Sequence, residues 1–423
     1  MKNLQLFFIL FTISLYGQTW QTTSITSNTH GQRFDDVFFL TDNIGWAAKG
    51  YYAAVYKTID GGHTWTEQLN KSMLGGNYYF RNIEFLNADV GFLGTLNGKV
   101  FSTNDGGDSW NQITNISPNP QAICGLSTVG NATVYGCGAY FSPAYIIRSN
   151  DSGATWDYMD MSAHANTLVE IKFITENLGY ACGSSTTGAV ILKTTDGGVS
   201  WIEIYNSNIA GEYVWKLQIL EDNPNVFFGA ITSVTPFPGK LIKSTDYGIT
   251  WNSHDAPETD IQAVGFVNEN KGWMGGHTTG FYETLNGGQT WSNLGVGSNL
   301  NRIFIINSSL AYAAGTSIYK YTDEALNVEN ILDSPSKSLN IQLHHNPASS
   351  VLEFSISYPS SDHMLIELYD MKGSYIRQLT RETITTNGII KEYTFPIEDL
   401  KSGVYLINFH NNSQRQSLKF IKK

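Results

Sequence analysis

One eight-residue segment recurs along the 423-residue chain and constrains its fold more than any other feature. Each copy begins on Ser or Thr, carries Gly at its fifth position and Ser or Thr at its seventh, and ends on Trp. The third position is acidic or its amide, at Asp60, Asp105, Asp151, Asp196, Asp246 and Asn286. The closing tryptophans, 40 to 50 residues apart, are Trp65, Trp110, Trp156, Trp201, Trp251 and Trp291. This period predicts one small sheet per copy in a repeat architecture.

The chemistry of the segment is that of a hairpin turn. The Asp carboxylate can accept backbone N–H bonds across the turn, and the Gly supplies a positive φ. The Ser or Thr hydroxyl can tie the far side, and the Trp can bury a large apolar area against the next sheet. Six copies of one turn cannot all be active sites, so the segment is interpreted as structural. It resembles the Asp-box, or BNR, repeat of sialidases and of many non-enzymatic propellers.

Strand patterns upstream of each turn predict four strands per repeat. The first repeat shows an apolar strand at 37–40, a Gly-aromatic strand at 45–48 and a third strand at 55–57. The last repeat, from residue 302, stops without a Trp strand, and Trp20 lies in register at the other end of the chain. The chain is therefore predicted to be all-β, with residues 18–323 forming a seven-bladed β-propeller that its N-terminal strand closes.

Residues 1–17 have the basic start, apolar core and final Gly of a signal peptide, and cleavage is expected before Gln18. The apolar run is too short to span a membrane, and no other segment comes close. The net charge of -11 argues against nucleic acid as a partner. No cofactor or metal motif is present. Cys124 and Cys137 either form a disulfide or, like Cys182, fill small core positions, and core packing is favoured.

Beyond the repeats, residues 324–338 are predicted to be a linker and residues 339–423 a small β-sandwich. Three stretches carry a resemblance here: Asn346-Pro347-Ala348, the run from Leu368 to Gly373, and the run from Leu400 to Leu406. They are similar to the type A sorting domain of the Bacteroidetes type IX secretion system. The resemblance implies export, contact with the type IX machinery through residues 339–423, and a secreted or outer-membrane-surface location in a Gram-negative bacterium.

Candidate ligand-binding residues lie in the predicted loops opposite the Asp-box turns, where binding sites of propellers usually sit. Arg33, Arg81 and Arg302 stand at the start of innermost strands and could converge on an anionic ligand. Alternatively, each pairs with a nearby acid such as Asp35, Asp36 or Glu84. The aromatic candidates, which suit sugar rings or apolar side chains, are Tyr52, Tyr79, Tyr140 and Trp215.

Two functions remain open from the sequence. A glycoside hydrolase of the sialidase kind needs an arginine triad, but the Arg-Ile-Pro sequence typical of sialidases is missing, and no catalytic residue can be assigned. The single ring with Asp-Gly-Gly-x-Thr-Trp turns also resembles the photosystem assembly factor (Ycf48-like) family over residues 18–323. That resemblance implies a scaffold without catalysis. The preferred hypothesis is a non-catalytic binding propeller for a glycan or a glycoprotein, with hydrolase as the alternative.

Overall fold

The computed structural model describes residues 18–26, 32–138, 143–323, 340–358, 362–370, 375–384, 389–410 and 415–423. The chain divides into two compact units, Met1–Val328 and Glu329–Lys423. The predicted signal peptide, the predicted linker and Tyr140 lie outside the described residues. Within the described ranges no helix is long and apolar enough to cross a membrane.

The described part of the first unit consists of seven four-stranded antiparallel sheets, which we number 1 to 7 along the chain. Sheet 1 contains β2 (Phe34–Phe39), β3 (Gly45–Lys49), β4 (Ala54–Thr58) and β5 (Thr66–Leu69). A short helix, α1 (Lys71–Leu74), leads to sheet 2, which contains β6 (Phe80–Phe85), β7 (Gly91–Thr95), β8 (Val100–Thr103) and β9 (Asn111–Ile113). Sheet 3 contains β10 (Gly125–Val129), β11 (Thr133–Gly138), β12 (Tyr145–Ser149) and β13 (Asp157–Asp160).

Sheet 4 contains β14 (Thr167–Phe173), β15 (Gly179–Ser184), β16 (Ala189–Thr194) and β17 (Ile202–Asn206). Sheet 5 contains β18 (Tyr213–Ile219), β19 (Phe227–Thr232), β20 (Lys240–Ser244) and β21 (Asn252–Asp255). Sheet 6 contains β22 (Ile261–Phe266), β23 (Gly272–Gly276), β24 (Tyr282–Thr284) and β25 (Ser292–Asn293).

Sheet 7 joins the two ends of the repeat region. Its strands are β26 (Arg302–Asn307), β27 (Leu310–Ala314), β28 (Ser317–Thr322) and, from the N-terminus, β1 (Thr19–Thr26). In the ladder Trp20 pairs with Tyr321, and its ring stacks on Phe281 of sheet 6 at a centroid distance of 4.1 Å. The N-terminal strand therefore completes the last sheet, as the register of Trp20 predicts.

The sheets contact one another in a closed circuit. The first strand of each sheet touches the first strand of the next, and β26 touches β2. We call the space that these seven strands surround the channel. Between several sheets the last residue of a first strand stacks on an aromatic ring of the preceding sheet, as Phe85 does on Trp46 at 3.6 Å. A Cβ at Gly91 would stand 2.4 Å from the Phe85 ring, which explains the glycine of the Gly-aromatic strands.

The Asp-box turns have the predicted hydrogen bonds. In sheet 2 the Asp105 carboxylate accepts from the Ser109 amide at 2.9 Å, the Ser109 hydroxyl at 2.6 Å and the Thr103 hydroxyl at 2.7 Å. These bonds, first of all those from Ser109, lower the pKa of Asp105 to about 2. At Asn286 the amide donates to the Thr290 hydroxyl at 2.8 Å instead, so the turn survives the exchange. These hydrogen bonds explain why the repeated segment needs Asp or Asn at its third position and Ser or Thr at its first and seventh, and they support its interpretation as a structural turn.

One detail of the predicted turn is wrong: the tryptophans pack against the preceding sheet and not the next. Trp156 of sheet 3 meets Phe92 of sheet 2 edge-to-face at 6.1 Å. The reason is the turn's second glycine position, since a Cβ at Gly153 would stand 2.7 Å from the Phe92 ring. Gly153 has a φ of 88°, and its bare backbone leaves the space that the neighbouring ring fills.

All three cysteines are free and buried. Cys124 donates its amide to the Cys137 carbonyl at 2.7 Å, so the two are neighbours in the ladder. Their thiols remain separate, however, and the disulfide alternative is not realised. Burial raises the pKa of the Cys124 thiol to about 11, which makes it a core group and not a nucleophile. The core-packing interpretation of the cysteines is the one that the structure supports.

The second unit contains two sheets over one apolar core. The three-stranded sheet contains β29 (Asn340–Leu343), β30 (Val351–Tyr358) and β33 (Ile389–Pro396). The four-stranded sheet contains β31 (Asp362–Asp370), β32 (Tyr375–Ile384), β34 (Gly403–His410) and β35 (Arg415–Lys422). Phe354 of the first sheet meets Phe409 of the second at 5.3 Å in the middle of this core.

Candidate binding site

A repeated irregularity shapes one end of the channel. In five sheets the first strand shifts register near its start, which inserts one extra residue. A bulge of this kind re-aims a side chain. The inserted residues, one per sheet, are Asp35, Arg81, Val169, Trp215 and Gln262, and all five are buried. Polar and bulky side chains therefore fill the end of the channel where the first strands begin.

Arg33 and Arg81 converge at this filled end, and they meet on Asp35. Arg81 Nη1 lies 2.6 Å from Asp35 Oδ1, and Arg33 Nη2 lies 3.3 Å from the same oxygen. Arg33 also donates to Gln262 Oε1 at 2.8 Å and to Asn299 Oδ1 at 2.9 Å. Two buried guanidinium groups share one buried carboxylate, as expected if the arginines pair with nearby acids. Their main partner is therefore a residue of the protein and not a ligand.

Arg302 lies one layer further along the channel, among three acids. Its guanidinium is 2.8 Å from Glu170, 3.6 Å from Asp36 and 3.9 Å from Glu84. Lys216 adds a second cation, with its Nζ 2.5 Å from Glu170 Oε2. This layer brings together strands of sheets 1, 2, 4, 5 and 7, with ion pairs from Arg302 to Glu170 and Asp36 and from Lys216 to Glu170, and with Glu84 3.9 Å from Arg302. The three predicted arginines are thus close in space, in two successive layers.

The acids of this layer have different proton affinities. Burial raises the pKa of Glu84 to about 8, against the opposing effect of Arg302. For Glu170 burial acts in the same direction, but Lys216 and Arg302 outweigh it and leave the pKa below its ordinary value. Near neutral pH one carboxyl is therefore largely protonated and the other ionised, although both contact Arg302.

The aromatic candidates do not share one exposed surface. Trp215 is buried, and the Arg81 guanidinium covers its ring at 5.5 Å. Tyr79 is half-buried, and burial raises its pKa to about 12. Tyr52 packs edge-to-face on the exposed Tyr51 at 5.4 Å, and the Lys49 ammonium lies over its ring at 5.2 Å. Tyr52 and Tyr51 provide the exposed aromatic surface that sugar binding requires, and its use remains a prediction.

A cavity of about 650 Å³ occupies the other end of the channel. Its walls come from β14, β18, β22 and β26 and from the turns that follow three of these strands, at 220–224, 267–269 and 307–308. Because neighbouring strands are antiparallel, these turns lie at the same end of the sheets as the Asp-box turns. The predicted binding face lies at the opposite end. The inserted side chains fill that end of the channel, whereas the last residues of the first strands leave the space of the cavity at the Asp-box end.

The inner end of the cavity is charged and its walls are largely apolar. Lys172, Lys216 and Arg302 reach it from three different sheets, together with the carboxylate of Glu170. Lys216 and Arg302 both bind Glu170, whereas no carboxylate of the described residues is within ion-pairing distance of the Lys172 ammonium. Burial, followed by the nearby Arg302 charge, lowers the pKa of Lys172. Glu170, Glu84 and Glu221 are close enough to oppose that lowering, so Lys172 has acidic neighbours but no ion-pair partner among the described residues.

Sequence reasoning missed Glu170, Lys172 and Lys216. The signal was present, since each is a charged residue inside a largely apolar strand; Glu170 and Lys216 occupy matching places of successive repeats, and Lys172 lies two residues after Glu170. An alignment of the repeats would have set Lys216 and Glu170 beside Asp36 and Arg302. The prediction named Arg302 and, as acids that could pair with the arginines, Asp36 and Glu84, but neither Glu170 nor Lys216.

Two families match the sequence. Residues 13–157 match the family described as photosynthesis system II assembly factor YCF48, and residues 342–423 match the secretion system C-terminal sorting domain. Both resemblances are confirmed. The sorting domain indicates a secreted or cell-surface protein of the Bacteroidetes. Comparison with curated proteins finds no significant match.

Solved structures support a propeller-like, all-β fold. YCF48 bound to a D1 peptide has a TM-score of 0.55 and 19% identity, and the match covers 72% of this chain and 96% of that one. The WD40 β-propeller domain of Doa1 has a TM-score of 0.54 and 10% identity, with coverage of 73% and 98%. PorZ of Porphyromonas gingivalis, a surface component of the type IX secretion system, has a TM-score of 0.53 and 14% identity. The match covers 93% of this chain and 59% of that one. These identities speak to the fold alone.

Proposed function

We propose that residues 18–323 form a seven-bladed β-propeller in which each four-stranded sheet is one blade. The closed circuit of first strands and the pairing of β1 with β28 support this assignment. Residues 339–423 form a β-sandwich sorting domain behind a linker at 324–338, and residues 1–17 are the signal peptide. The two sheets over one core in the second unit support the sandwich.

The propeller acts as a non-catalytic binding scaffold, secreted or held at the outer-membrane surface of a Gram-negative bacterium. Residues 339–423 engage the type IX machinery, and the ligand is a glycan or a glycoprotein. The observation that carries the scaffold role is the cavity, which opens within a ring whose charged layers are cross-linked by buried ion pairs. A rigid ring with one large concavity suits binding without rearrangement. A solved structure of similar fold, YCF48 bound to a D1 peptide, supports a binding role.

A glycoside hydrolase remains the second candidate because Glu84 and Glu170 have pKa values shifted in opposite directions beside one arginine. Paired carboxyl groups of this kind can act as acid and base. The arginines favour the scaffold, however. A sialidase-type site needs free guanidinium groups for the substrate carboxylate, and Arg33 and Arg81 share Asp35.

The test is a glycan array probed with the chain from residue 18 to 423. Arg302→Gln is compared with Arg148→Gln, a matched change outside the channel whose arginine pairs with Asp157. Selective binding that is lost in Arg302→Gln and retained in Arg148→Gln supports a glycan scaffold. If no glycan is bound at high protein concentration, the glycan assignment is wrong.

The hydrolase alternative is tested on the glycans that bind. Release of new reducing ends by the parent chain, abolished in Glu84→Gln, would establish catalysis and overturn the scaffold role. Binding without release, at equal strength in the parent chain and Glu84→Gln, supports the scaffold.

A further inference from the structure

We propose that the cavity at the Asp-box end of the channel binds a carboxylate-bearing sugar, with Lys172 as the anchor of the carboxylate. This inference rests on the proposed glycan-binding function and names the ligand class and the site within it.

Charge at the inner end of the cavity favours an anion. At this end three cations, Lys172, Lys216 and Arg302, face the carboxylate of Glu170, which Lys216 and Arg302 share, whereas Glu221, Asp222 and Glu269 line the cavity from the turns at its mouth. Asp36 and Glu84 contact Arg302 but do not line the cavity, and Glu84 is largely protonated near neutral pH. A partly buried cation is stabilised by a counter-charge or by hydration, and the Lys172 ammonium, which makes no ion pair within the described residues, can gain a direct partner from an anionic ligand.

The remaining donors of Arg302 point to the same conclusion. Among the described residues only its Nη1 makes a hydrogen bond, to Glu170, and the two other acids lie at 3.6 and 3.9 Å, beyond good hydrogen-bond distance. A guanidinium has five N–H donors, so several remain for a ligand. A carboxylate that meets both Lys172 and Arg302 would receive two charge-assisted hydrogen bonds.

The walls and the mouth of the cavity suit a sugar. The half-buried ring of Phe304 lies beside the charged end and offers an apolar face for the C–H surface of a pyranose. Amide side chains at the mouth, Asn223, Asn268 and Asn307, can exchange hydrogen bonds with hydroxyl groups. A volume of about 650 Å³ is within the range of small-ligand sites. A uronic acid combines these features in one residue: a carboxylate, hydroxyl groups and an apolar ring face.

The experiment is calorimetric titration of the chain from residue 18 to 423 with digalacturonate and, in parallel, with neutral digalactose. Lys172→Met removes the charge at nearly constant length, and Lys172→Arg restores it. The control is Lys193→Met, a lysine of the same sheet that does not line the cavity and lies over the Tyr180 ring. Thermal unfolding of each variant shows that the fold is retained.

We expect digalacturonate to bind and digalactose to bind more weakly or not at all. Lys172→Met should weaken the affinity for digalacturonate by about 10- to 100-fold, the range for a lost charge-assisted hydrogen bond. Lys172→Arg should recover most of the affinity, and Lys193→Met should leave it unchanged.

Three outcomes would overturn the inference. If Lys172→Met leaves digalacturonate binding unchanged, the acidic-sugar site lies elsewhere. If the array shows binding of neutral glycans and of no uronate, the ligand class is wrong, but the proposed glycan binding is retained. Acetyl-trialanine, a peptide with a free carboxyl terminus, is titrated in the same way; if it binds and digalacturonate does not, the cavity is assigned to peptides. Only the absence of every glycan, neutral and acidic, contradicts the proposed function together with this inference.

Discussion

The contribution of the N-terminal strand to the ring can be measured through Trp20. This side chain is 4% exposed, stacks on Phe281 at 4.1 Å and meets Trp273 edge-to-face at 5.4 Å. It bridges sheet 7, to which it belongs, and sheet 6. Trp20→Ala therefore removes apolar contact from an interface between sheets as well as from the strand that closes the circuit.

The magnitude follows from the buried area. A buried tryptophan removes about 150–250 Å² from water, which at about 25 cal/mol per Å² is roughly 4–6 kcal/mol. Part of this is regained by relaxation and by the remaining alanine, so we expect a loss of about 3–5 kcal/mol in the free energy of unfolding. For a unit of this size the midpoint of thermal unfolding should fall by about 5–10 °C.

The assay is urea unfolding followed by tryptophan fluorescence, with Trp65→Ala as the matched control. Trp65 occupies the corresponding place in the repeat but is partly exposed, so its loss should cost clearly less. The reasoning is refuted if Trp20→Ala unfolds at the same urea concentration as the parent chain, or later than Trp65→Ala. Either result would mean that β1 does not contribute to closing the ring.

Three further changes test other parts of the structure. Gly91→Ala places a Cβ about 2.4 Å from the Phe85 ring and should cost about 1–3 kcal/mol in unfolding free energy, and Phe85→Leu in the same chain should recover part of it. An equal loss with and without Phe85→Leu would contradict this account of the glycine. The Asp105 carboxyl has its pKa lowered from 3.8 to about 2, so its stabilising effect is complete above pH 3.8 and is lost as the pH falls through about 2. Urea midpoints of the parent chain and Asp105→Asn should converge toward pH 2, and a gap independent of pH would exclude the mechanism. The Glu84 carboxyl has its pKa raised from 4.5 to about 8, so the folded chain binds the extra proton and stability declines as the pH rises from 4.5 to about 8. Glu84→Gln should remove this decline, and unfolding midpoints at pH 5 and pH 8 measure it.

The repeat made most of the fold predictable. A turn that needs Asp, Gly, Ser or Thr, and Trp at fixed places leaves a pattern that survives along the chain, and the register of Trp20 was enough to place β1 beside β28. The direction in which the tryptophans pack was not predictable in this way. It depends on which neighbouring ring fills the space beside Gly153, a relation between repeats that no single repeat contains.

The candidate site was predicted only in part, for a physical reason. Arg33, Arg81 and Arg302 do lie close together, and Arg33 and Arg81 pair with Asp35, one of the acids that the pairing alternative names. Arg302, however, makes its shortest contact with Glu170, from a strand 132 residues away, and the sequence pattern does not show that this partner neutralises it. Register shifts such as the one that inserts Arg81 also make the site harder to predict. An alternating pattern of apolar and polar residues does not show which residue of a strand is the unpaired, inserted one.

The same insertions decide which end of the channel can bind a ligand. A bulge at the start of a first strand turns one more side chain toward the channel, and where that side chain is Asp35 it neutralises two arginines. A ligand anion at that end would have to displace a buried carboxylate from both cations, at the full cost of leaving Asp35 unpaired. At the other end the Lys172 ammonium makes no ion pair within the described residues, so an anion there has no carboxylate bound to that ammonium to displace. For the proposed anionic ligand, the Asp-box end therefore offers space and the Lys172 ammonium at the inner end of the cavity, whereas Glu221, Asp222 and Glu269 at the mouth oppose an anion.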